Sequence, residues 1–402
     1  WDHYILNLFN IVLAKGEVPR SWSYMDMKMI FKKGDPTNPG NYRGIALLNS
    51  LPKIFTSILA HRMNVWSENM KILPEAQCGF RSERGCQDNI FTLFSIIDIK
   101  LNNNTPLFAI FIDFSKAFDS ISHNMLWNKL LKLGVGLKIT KILKSLYENA
   151  NMRVLTPTSH TEDIRVTSGL LQGEPLSPLL FNLFTSDVLE FFKSNNAASV
   201  TLDQNNEIIL MAYADDVVIF ANSIVDLNEK LLLLEQYCCQ NALSVNTSKT
   251  KIIYFSNSTR KKKFRNIFLA GEPIEFVNRY HYLGVPITSN GKHFQASKHF
   301  ASVGKLAFNR VKSILSNSAA TLHETRKKLL NSILKPTMLY CSEIWAHNYL
   351  ELLETVQLHS LKSLYYLPKS TPNSFVRLEF GFSPIVISVF KSMYNLLIKI
   401  LK

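Results

Sequence analysis

The stretch EIILMAYADDVVIFA at residues 207–221 constrains the fold more than any other, because two apolar runs meet there at a pair of carboxylates. Short apolar runs joined by a tight polar turn are typical of a β-hairpin. The pattern therefore predicts a hairpin whose tip carries Asp215 and Asp216. Since Asp is also a favoured turn residue, the hairpin alone leaves a purely structural role open.

A third carboxylate follows a separate apolar run further upstream. Residues 107–112 (LFAIFI) predict a buried strand, which places Asp113 at a strand end. Alone, Asp113 could merely bind the backbone donors of the next turn. Together, three carboxylates on neighbouring strands can hold two magnesium ions, about 3.5 to 4 Å apart, for phosphoryl transfer. The sheet of a palm-type polymerase would supply this geometry.

Cationic side chains are expected beside such a site, because phosphoryl transfer depends on charge neutralisation. Lys32 and Arg43, on either side of the loop GDPTNPGNY, are candidates for binding a triphosphate. Lys249 is a candidate proton donor to the departing pyrophosphate. Ordinary surface charge is the alternative for all three.

The overall charge favours a polyanionic partner. The chain has 45 Lys and Arg against 31 Asp and Glu, a formal net charge of +14, and residues 249–265 contain no acidic residue. This balance suits nucleic acid, although a solvated loop also explains the lysines at 261–263.

Other features of the composition narrow the class of protein. Charges interrupt the apolar runs well before the roughly 18 residues of a membrane-spanning helix. The five cysteines lack a zinc-ligand spacing, which favours a reduced intracellular protein. The opening WDHYILNLFNIVLA has neither a Met start nor a signal peptide, so we expect a fragment of a longer polypeptide.

Turn and capping residues divide the rest of the chain into further elements. We predict a loop at 34–44, helices at 45–66, 124–133 and 226–241, and strands at 164–168, 251–255 and 281–287. Ser177 can cap one helix, with Pro178 at its first position, and Ser383 and Pro384 should form the cap and first turn of the last helix. The last helix should bury the face formed by Val386, Phe390, Met393, Leu397 and Ile400.

Five motifs, in the expected order, resemble the palm motifs of reverse transcriptases. They are FIDFSKAFDSI (111–121), GLLQGEPLSPLLFNLF (169–184), YADD (213–216), LSVNTSKTK (243–251) and YLGV (282–285). Upstream, IFKKGDPTNPGNYRGIALLNSLPKIF and EAQCGFRSERGCQDNIFTL resemble the fingers blocks of non-LTR retrotransposon enzymes. Downstream, YCSEIW and the segments at 352–373 and 376–381 resemble the region beyond the thumb in insect-type, jockey-like elements. The resemblance covers nearly the whole chain and is least distinctive at 288–335.

The resemblance implies a metal site and its ligands. Asp113, Asp215 and Asp216 would hold two Mg²⁺ ions, which Mn²⁺ could replace. The backbone carbonyl of Phe114 would be a further ligand.

It also implies how a nucleotide is bound. Lys32 and Arg43 would contact the triphosphate, with Lys33 as an alternative to Lys32. Phe118 falls at the position whose ring abuts the sugar and excludes a 2′-hydroxyl, although a plain core phenylalanine remains the alternative.

Residues near the start of the second palm motif would complete the nucleotide pocket. Gln172 and Gly173 would line the nucleotide and template pocket, where a small residue lets the backbone come close. Glu174 adds a charge beside that pocket without an evident role. Asp119 is expected to be structural and to cap the following helix.

The fold that the resemblance implies is an α+β right-hand polymerase. The fingers and N-terminal part would occupy residues 1–105, and a palm with an antiparallel sheet and the catalytic motifs 106–290. A helical thumb and C-terminal extension would occupy residues 291–402.

The implied function is that of the RNA-directed DNA polymerase of a non-LTR retrotransposon. Its partners would be template RNA, a DNA primer and deoxynucleoside triphosphates. No membrane partner is expected, and the enzyme would act in the nucleus. An endonuclease domain is expected on the full-length polypeptide but is absent from these residues, which also lack zinc-knuckle and RNase H patterns.

Four other classes of protein share part of this pattern. Phe118 argues against an RNA-dependent RNA polymerase, and the blocks FKKGD and YCSEIW favour a retrotransposon over a group II intron maturase. A two-metal nuclease would not need the segment with Gln172 and Gly173. The intact aspartates argue against a decayed element copy that binds nucleic acid without catalysis, but the alternative stays open.

Overall fold

The structure is a computed structural model that describes residues 1–156, 158–258, 262, 264–317 and 322–401. Parts of the predicted basic stretch at 249–265 and of the predicted thumb region therefore lie outside the described residues. The strands of the described chain are β1 (Tyr24–Phe31), β2 (Tyr42–Leu47), β3 (Leu107–Ile112), β4 (Asn151–Leu155), β5 (Ile164–Arg165), β6 (Val200–Thr201), β7 (Glu207–Ile208), β8 (Leu210–Tyr213), β9 (Asp216–Ala221), β10 (Lys251–Phe255), β11 (Ile267–Leu269), β12 (Glu272–Phe276), β13 (Arg279–Tyr282) and β14 (Val285–Thr288).

The α-helices of the described chain are α1 (Asp2–Lys15), α2 (Ser50–Asn69), α3 (Cys86–Asn102), α4 (His123–Lys132), α5 (Leu137–Glu148), α6 (Ser177–Phe184), α7 (Val188–Ser194), α8 (Ile224–Gln240), α9 (Phe294–Ser316), α10 (His323–Leu329), α11 (Lys335–Met338), α12 (Ser342–Trp345), α13 (Leu350–Leu364), α14 (Asn373–Phe380) and α15 (Ile385–Leu401). Short 3₁₀ segments lie at Arg20–Ser23 and Pro39–Asn41, and a π-helical segment lies at Leu330–Leu334.

The six-stranded sheet carries the catalytic motifs and has the strand order β11-β12-β10-β3-β9-β8. All six residues of β3 are buried. A strand with neighbours on both sides and both faces covered is expected to be continuously apolar, which explains the run LFAIFI. β3 and β9 are neighbours, so the end of β3 and the start of β9 can contribute side chains to one place.

A four-stranded sheet has the order β2-β1-β4-β5. β1 pairs antiparallel with β2, with Ile30 opposite Arg43, and parallel with β4. Phe9 of α1 packs against Trp22 and Phe55, with ring centroids 6.0 and 5.2 Å away. This aromatic cluster forms the core beside α1 and α2.

The contacts group the chain into two compact units. Unit 1 comprises residues 1–86, 110–251 and 265–275, and unit 2 comprises residues 87–109, 252–264 and 276–402. In unit 2, α9 packs against α11, α13 and β14. The predicted domain boundaries at residues 105 and 290 stay predictions.

Several predicted elements differ from the structure. Residues 45–47 belong to β2, because pairing with β1 overrides their helical spacing, and α2 begins only at Ser50. The predicted strand at 281–287 is part of a hairpin of β13 and β14, turned by Leu283 and Gly284 with φ 46° and 82°. The strand predicted at 164–168 is limited to Ile164–Arg165.

The last helix differs from its prediction in the face that it buries. Ile385 and Val389 are buried, whereas the predicted core residues Phe390, Leu397 and Ile400 are 51 to 58% exposed. The buried side chains of α15 lie in its first turns, and the helix packs against α12 and α13, while Lys399 near its end forms an ion pair with Asp88 of α3. No single described helix is long and apolar enough to cross a membrane; α14 and α15 pass that test only as a pair bent by 66°.

Candidate active site

The predicted carboxylate hairpin is present. Tyr213 pairs with Asp216, so the two-residue turn consists of Ala214 and Asp215, and Asp216 is the first residue of β9. Ala214 adopts a left-handed conformation with φ 55°. A two-residue hairpin turn favours such a conformation, which places Asp215 in the turn and Asp216 directly after it.

Asp113 directly follows β3, as predicted, and a distant segment fixes its backbone. The Asp113 N–H donates to Oγ1 of the fully buried Thr250 over 3.2 Å, and its carbonyl accepts from the Asn246 N–H over 2.7 Å. Phe114 forms an antiparallel bridge with Val245. That pairing leaves the Phe114 carbonyl without a hydrogen-bond partner among the described residues, so it remains available as a ligand.

The three aspartates lie close enough to influence one another electrostatically. Burial raises the pKa of Asp216 to about 6, and the charges of Asp215 and Asp113 contribute to the shift. Burial and the charge of Asp113 also raise the pKa of Asp215, which its backbone hydrogen bond and the cations Arg43 and Lys32 partly oppose. Carboxylates that lie close enough to repel one another favour a cation between them.

Three predicted cationic residues converge on the aspartates. Lys249 Nζ lies 3.5 Å from Asp113 Oδ2. Burial lowers the pKa of Lys32, as do the positive charges of Arg43 and Lys249, while Asp119 and Asp113 raise it. The structure thus brings together side chains that are far apart in the sequence.

The loop between Lys32 and Arg43 is held by its own hydrogen bonds. The Asp35 carboxylate accepts from the Thr37 N–H over 2.9 Å, and the Asn38 side chain accepts from the Gly40 N–H over 2.9 Å. Asn41 donates its side-chain amide to the Asp35 carbonyl. These bonds fix the loop that joins β1 to β2, and Lys32 and Arg43 lie at its two ends.

The residues predicted to contact the nucleotide also lie in unit 1. Phe118 is half-buried and stacks on Phe181 with ring centroids 4.7 Å apart. Gly173 has φ 107°, and a Cβ there would lie 2.7 Å from the Ala46 carbonyl oxygen. Glycine at 173 therefore lets this segment approach β2, to which it bonds through the Ala46 N–H and the Gln172 carbonyl, 2.7 Å apart.

Asp119 does not cap the following helix as predicted. Ser122 occupies the N-cap position of α4. The Asp119 carboxylate instead accepts a hydrogen bond from Gln172 Nε2 over 3.0 Å. The cap prediction failed because Asp119 lies too far before the helix, and the bond to Gln172 depends on the fold.

Glu174 has a role that sequence reasoning missed. It is 2% exposed, and its carboxylate accepts from the Leu176 N–H over 2.8 Å and from the Ser177 hydroxyl over 3.2 Å. Glu174 therefore holds the start of α6, whose N-cap residue is Leu176, whereas the predicted cap Ser177 is the first helical residue. Burial raises the pKa of the Glu174 carboxyl.

Two further polar residues were missed. Gln77 binds the backbone of the hairpin turn, and Asn182 is buried within α6. An Asn within the otherwise apolar run LFNLF is the signal that could have drawn attention to position 182.

The donor atoms fit a hard cation, but the side chains do not form a closed metal site. Carboxylate and carbonyl oxygens are the ligands that Mg²⁺ prefers. In the part of the chain that the structure describes, no three His, Cys, Asp or Glu side chains converge closely enough to form a ready-made metal site.

The fold and the site together define a class of protein. Carboxylates at neighbouring strand ends of a sheet, beside cations on a separate hairpin, belong to a right-hand nucleic acid polymerase. The solved structure of Candida albicans telomerase, in complex with the TWJ fragment of telomeric RNA, has a similar fold. Its TM-score is 0.54 at 11% identity, over 89% of this chain and 66% of that chain.

The family follows from the sequence profile described as "Reverse transcriptase (RNA-dependent DNA polymerase)", which matches residues 30–287. This is more than half of the chain, which belongs to the reverse transcriptase family.

Relatives from transposable elements confirm the predicted resemblance to non-LTR retrotransposons. The chain is 27% identical, over 92% of its length, to the probable RNA-directed DNA polymerase from transposon BS of Drosophila melanogaster. It is 23% identical, over 90% of its length, to the RNA-directed DNA polymerase from mobile element jockey of Drosophila funebris. The chain spans 41% and 40% of these two relatives.

Proposed function

We propose that this chain is an RNA-directed DNA polymerase that copies the RNA of a non-LTR retrotransposon into DNA. The observation that carries the proposal is that three aspartates, Asp113, Asp215 and Asp216, lie within electrostatic reach of one another and of three cations, Lys32, Arg43 and Lys249, the last of them 3.5 Å from Asp113. Family membership and the transposon relatives support RNA as the template. Action in the nucleus belongs to the same proposal and rests on the family alone.

The cofactor we propose is magnesium, with manganese as a substitute. Asp113, Asp215 and Asp216 would hold two ions, with the Phe114 carbonyl as a further ligand. When bound, such ions activate the primer hydroxyl and stabilise the leaving oxygens. Two properties of the carboxylates support this assignment. They repel one another, and they offer the oxygen donors that magnesium prefers.

The nucleotide would be bound from two sides. Lys32 and Arg43 would neutralise the triphosphate, and Lys249 would donate a proton to the pyrophosphate. Phe118, held by stacking on Phe181, would face the sugar and select deoxynucleotides. Gln172 and Gly173 would line the nucleotide and template pocket.

Primer extension tests the proposal. The parent chain should extend oligo(dT) on poly(rA) with dTTP and magnesium, and the double variant Asp215→Ala, Asp216→Ala should not. The matched control is Asp163→Ala, Asp203→Ala, which removes two exposed aspartates outside the site and should keep activity. A folded parent that binds the primer–template but does not extend it would overturn the proposal and favour a binding-only remnant.

A further inference from the structure

The segment around Gln77 runs beside the catalytic hairpin. The Ala212 N–H donates to the Ala76 carbonyl over 2.7 Å, and the Cys78 N–H donates to the Ala212 carbonyl over 3.0 Å. These bonds form a parallel bridge along β8, which is the last strand in the order of its sheet. The bridge covers an otherwise open strand edge and brings the Gln77 side chain to the turn.

The Gln77 amide binds both backbone groups of Ala214. The Ala214 N–H donates to Gln77 Oε1 over 2.8 Å, and Gln77 Nε2 donates to the Ala214 carbonyl over 3.2 Å. Ala214 has φ 55°, which a residue other than glycine rarely adopts. One side chain thus stabilises the unusual turn conformation that immediately precedes Asp215.

Two neighbours fix the orientation of the amide. Gln77 Oε1 also accepts from the Gly79 N–H over 2.8 Å, and the Gly79 carbonyl accepts from Asn182 Nδ2 over 2.6 Å. Gln77 and Asn182 are only 5% and 1% exposed. A Cβ at position 79 would lie 2.2 Å from the Ala214 nitrogen, so glycine is required at this close approach. Gln77, Gly79, Asn182 and Ala214 form what we call the Gln77 clamp.

We propose that Gln77 is a positioning residue, whose amide fixes the Ala214 turn so that Asp215 keeps its place beside Asp113. The inference rests on the proposed polymerase function. Gln77 itself contacts neither the nucleotide nor the reacting atoms; it acts through the backbone of Ala214. Its loss should therefore reduce the rate of the chemical step more than the binding of substrates.

The test replaces Gln77 with Met, which has a similar size but no amide. The matched control is Gln357→Met in α13, because Gln357 is 6% exposed and donates a comparable hydrogen bond to the Ser383 carbonyl over 3.3 Å. Displacing a catalytic group should lower the kcat of Gln77→Met by roughly ten- to a hundredfold. Its KM for dTTP and its primer–template affinity should stay within about twofold, and Gln357→Met should keep its kcat.

A second measurement does not depend on polymerisation. Hydrogen exchange at the Ala214 amide should be slow in the parent and fast in Gln77→Met. Fast exchange in the parent, or equal exchange in both proteins, overturns the clamp even if the parent is a polymerase. If the kcat of Gln77→Met falls only as much as its fraction of folded protein falls, the positioning role is overturned. If the parent shows slow exchange but no extension, the proposed function fails and the positioning role falls with it.

Discussion

At the scale of single residues, buried polar side chains organise the structure around the site. Glu174 is the clearest example, because its buried carboxylate accepts hydrogen bonds from the Leu176 N–H and the Ser177 hydroxyl at the start of α6. Burial raises its pKa, which means that the protonated form is favoured in the folded protein. A buried carboxyl of this kind makes stability depend on pH.

We therefore predict that the parent loses stability relative to Glu174→Gln as the pH rises. The pKa of the Glu174 carboxyl is higher in the folded than in the unfolded chain. The protonated carboxyl therefore contributes its full stabilisation at a pH below the unfolded-state pKa. This stabilisation is lost as the pH rises towards the folded-state pKa. Between the two values the loss approaches about 1.4 kcal/mol per pH unit, whereas the neutral amide does not titrate. Thermal unfolding of both proteins from about pH 5 to pH 8 measures the difference. A difference in Tm that does not change with pH would contradict the prediction.

At the scale of elements, one side chain joins three helices of unit 2. Glu354 of α13 forms an ion pair with Arg377 of α14, and its second oxygen accepts from the Ile385 N–H over 2.7 Å. Ile385 is the first residue of α15, so Glu354 provides the cap that we had predicted for Ser383. The acceptor comes from another helix, which local sequence patterns do not reveal.

We predict that Glu354→Ala destabilises this group of helices by about 1 to 3 kcal/mol, because it leaves the Ile385 N–H and the Arg377 guanidinium unpaired. Glu351→Ala is the matched control, since Glu351 lies on the same helix and is exposed. Urea denaturation followed by circular dichroism compares the two variants. Equal midpoints would show that Glu354 does not join the helices.

At the scale of the whole molecule, the chain has a net charge of +14, and part of that excess lies along one helix. α9 contains no acidic residue, and its exposed Lys298, Lys305 and Lys312 recur every seven residues. Seven residues are close to two helical turns, so these lysines lie along one side of the helix. Such a row can bind successive phosphates of a nucleic acid backbone.

We predict that replacing these three lysines with Gln makes the salt dependence of nucleic acid binding less steep. The slope of log binding affinity against log salt should decrease in magnitude by about 2 to 3, because each phosphate contact contributes about 0.7 to 0.9. Fluorescence anisotropy with a labelled primer–template between low and moderate salt measures this slope. The control removes the same charge from α5 by replacing Lys138, Lys141 and Lys144 with Gln. An equal decrease in both proteins would mean that net charge, and not the α9 surface, determines binding.

The sequence by itself determined the elements whose signals are local. The hairpin with Asp215 and Asp216, the strand that ends at Asp113 and the helices α4 and α8 follow from periodicity and turn residues over short windows. Tertiary structure alone decided the contacts that join distant segments: Gln77 to Ala214, Gln172 to Asp119, and Glu354 to Ile385. The physical reason is that these partners are far apart in the sequence, so which of them lie within hydrogen-bond distance is fixed only when the whole chain has packed. For the buried Gln77 side chain such a partner is also required, because a buried polar group without one is costly.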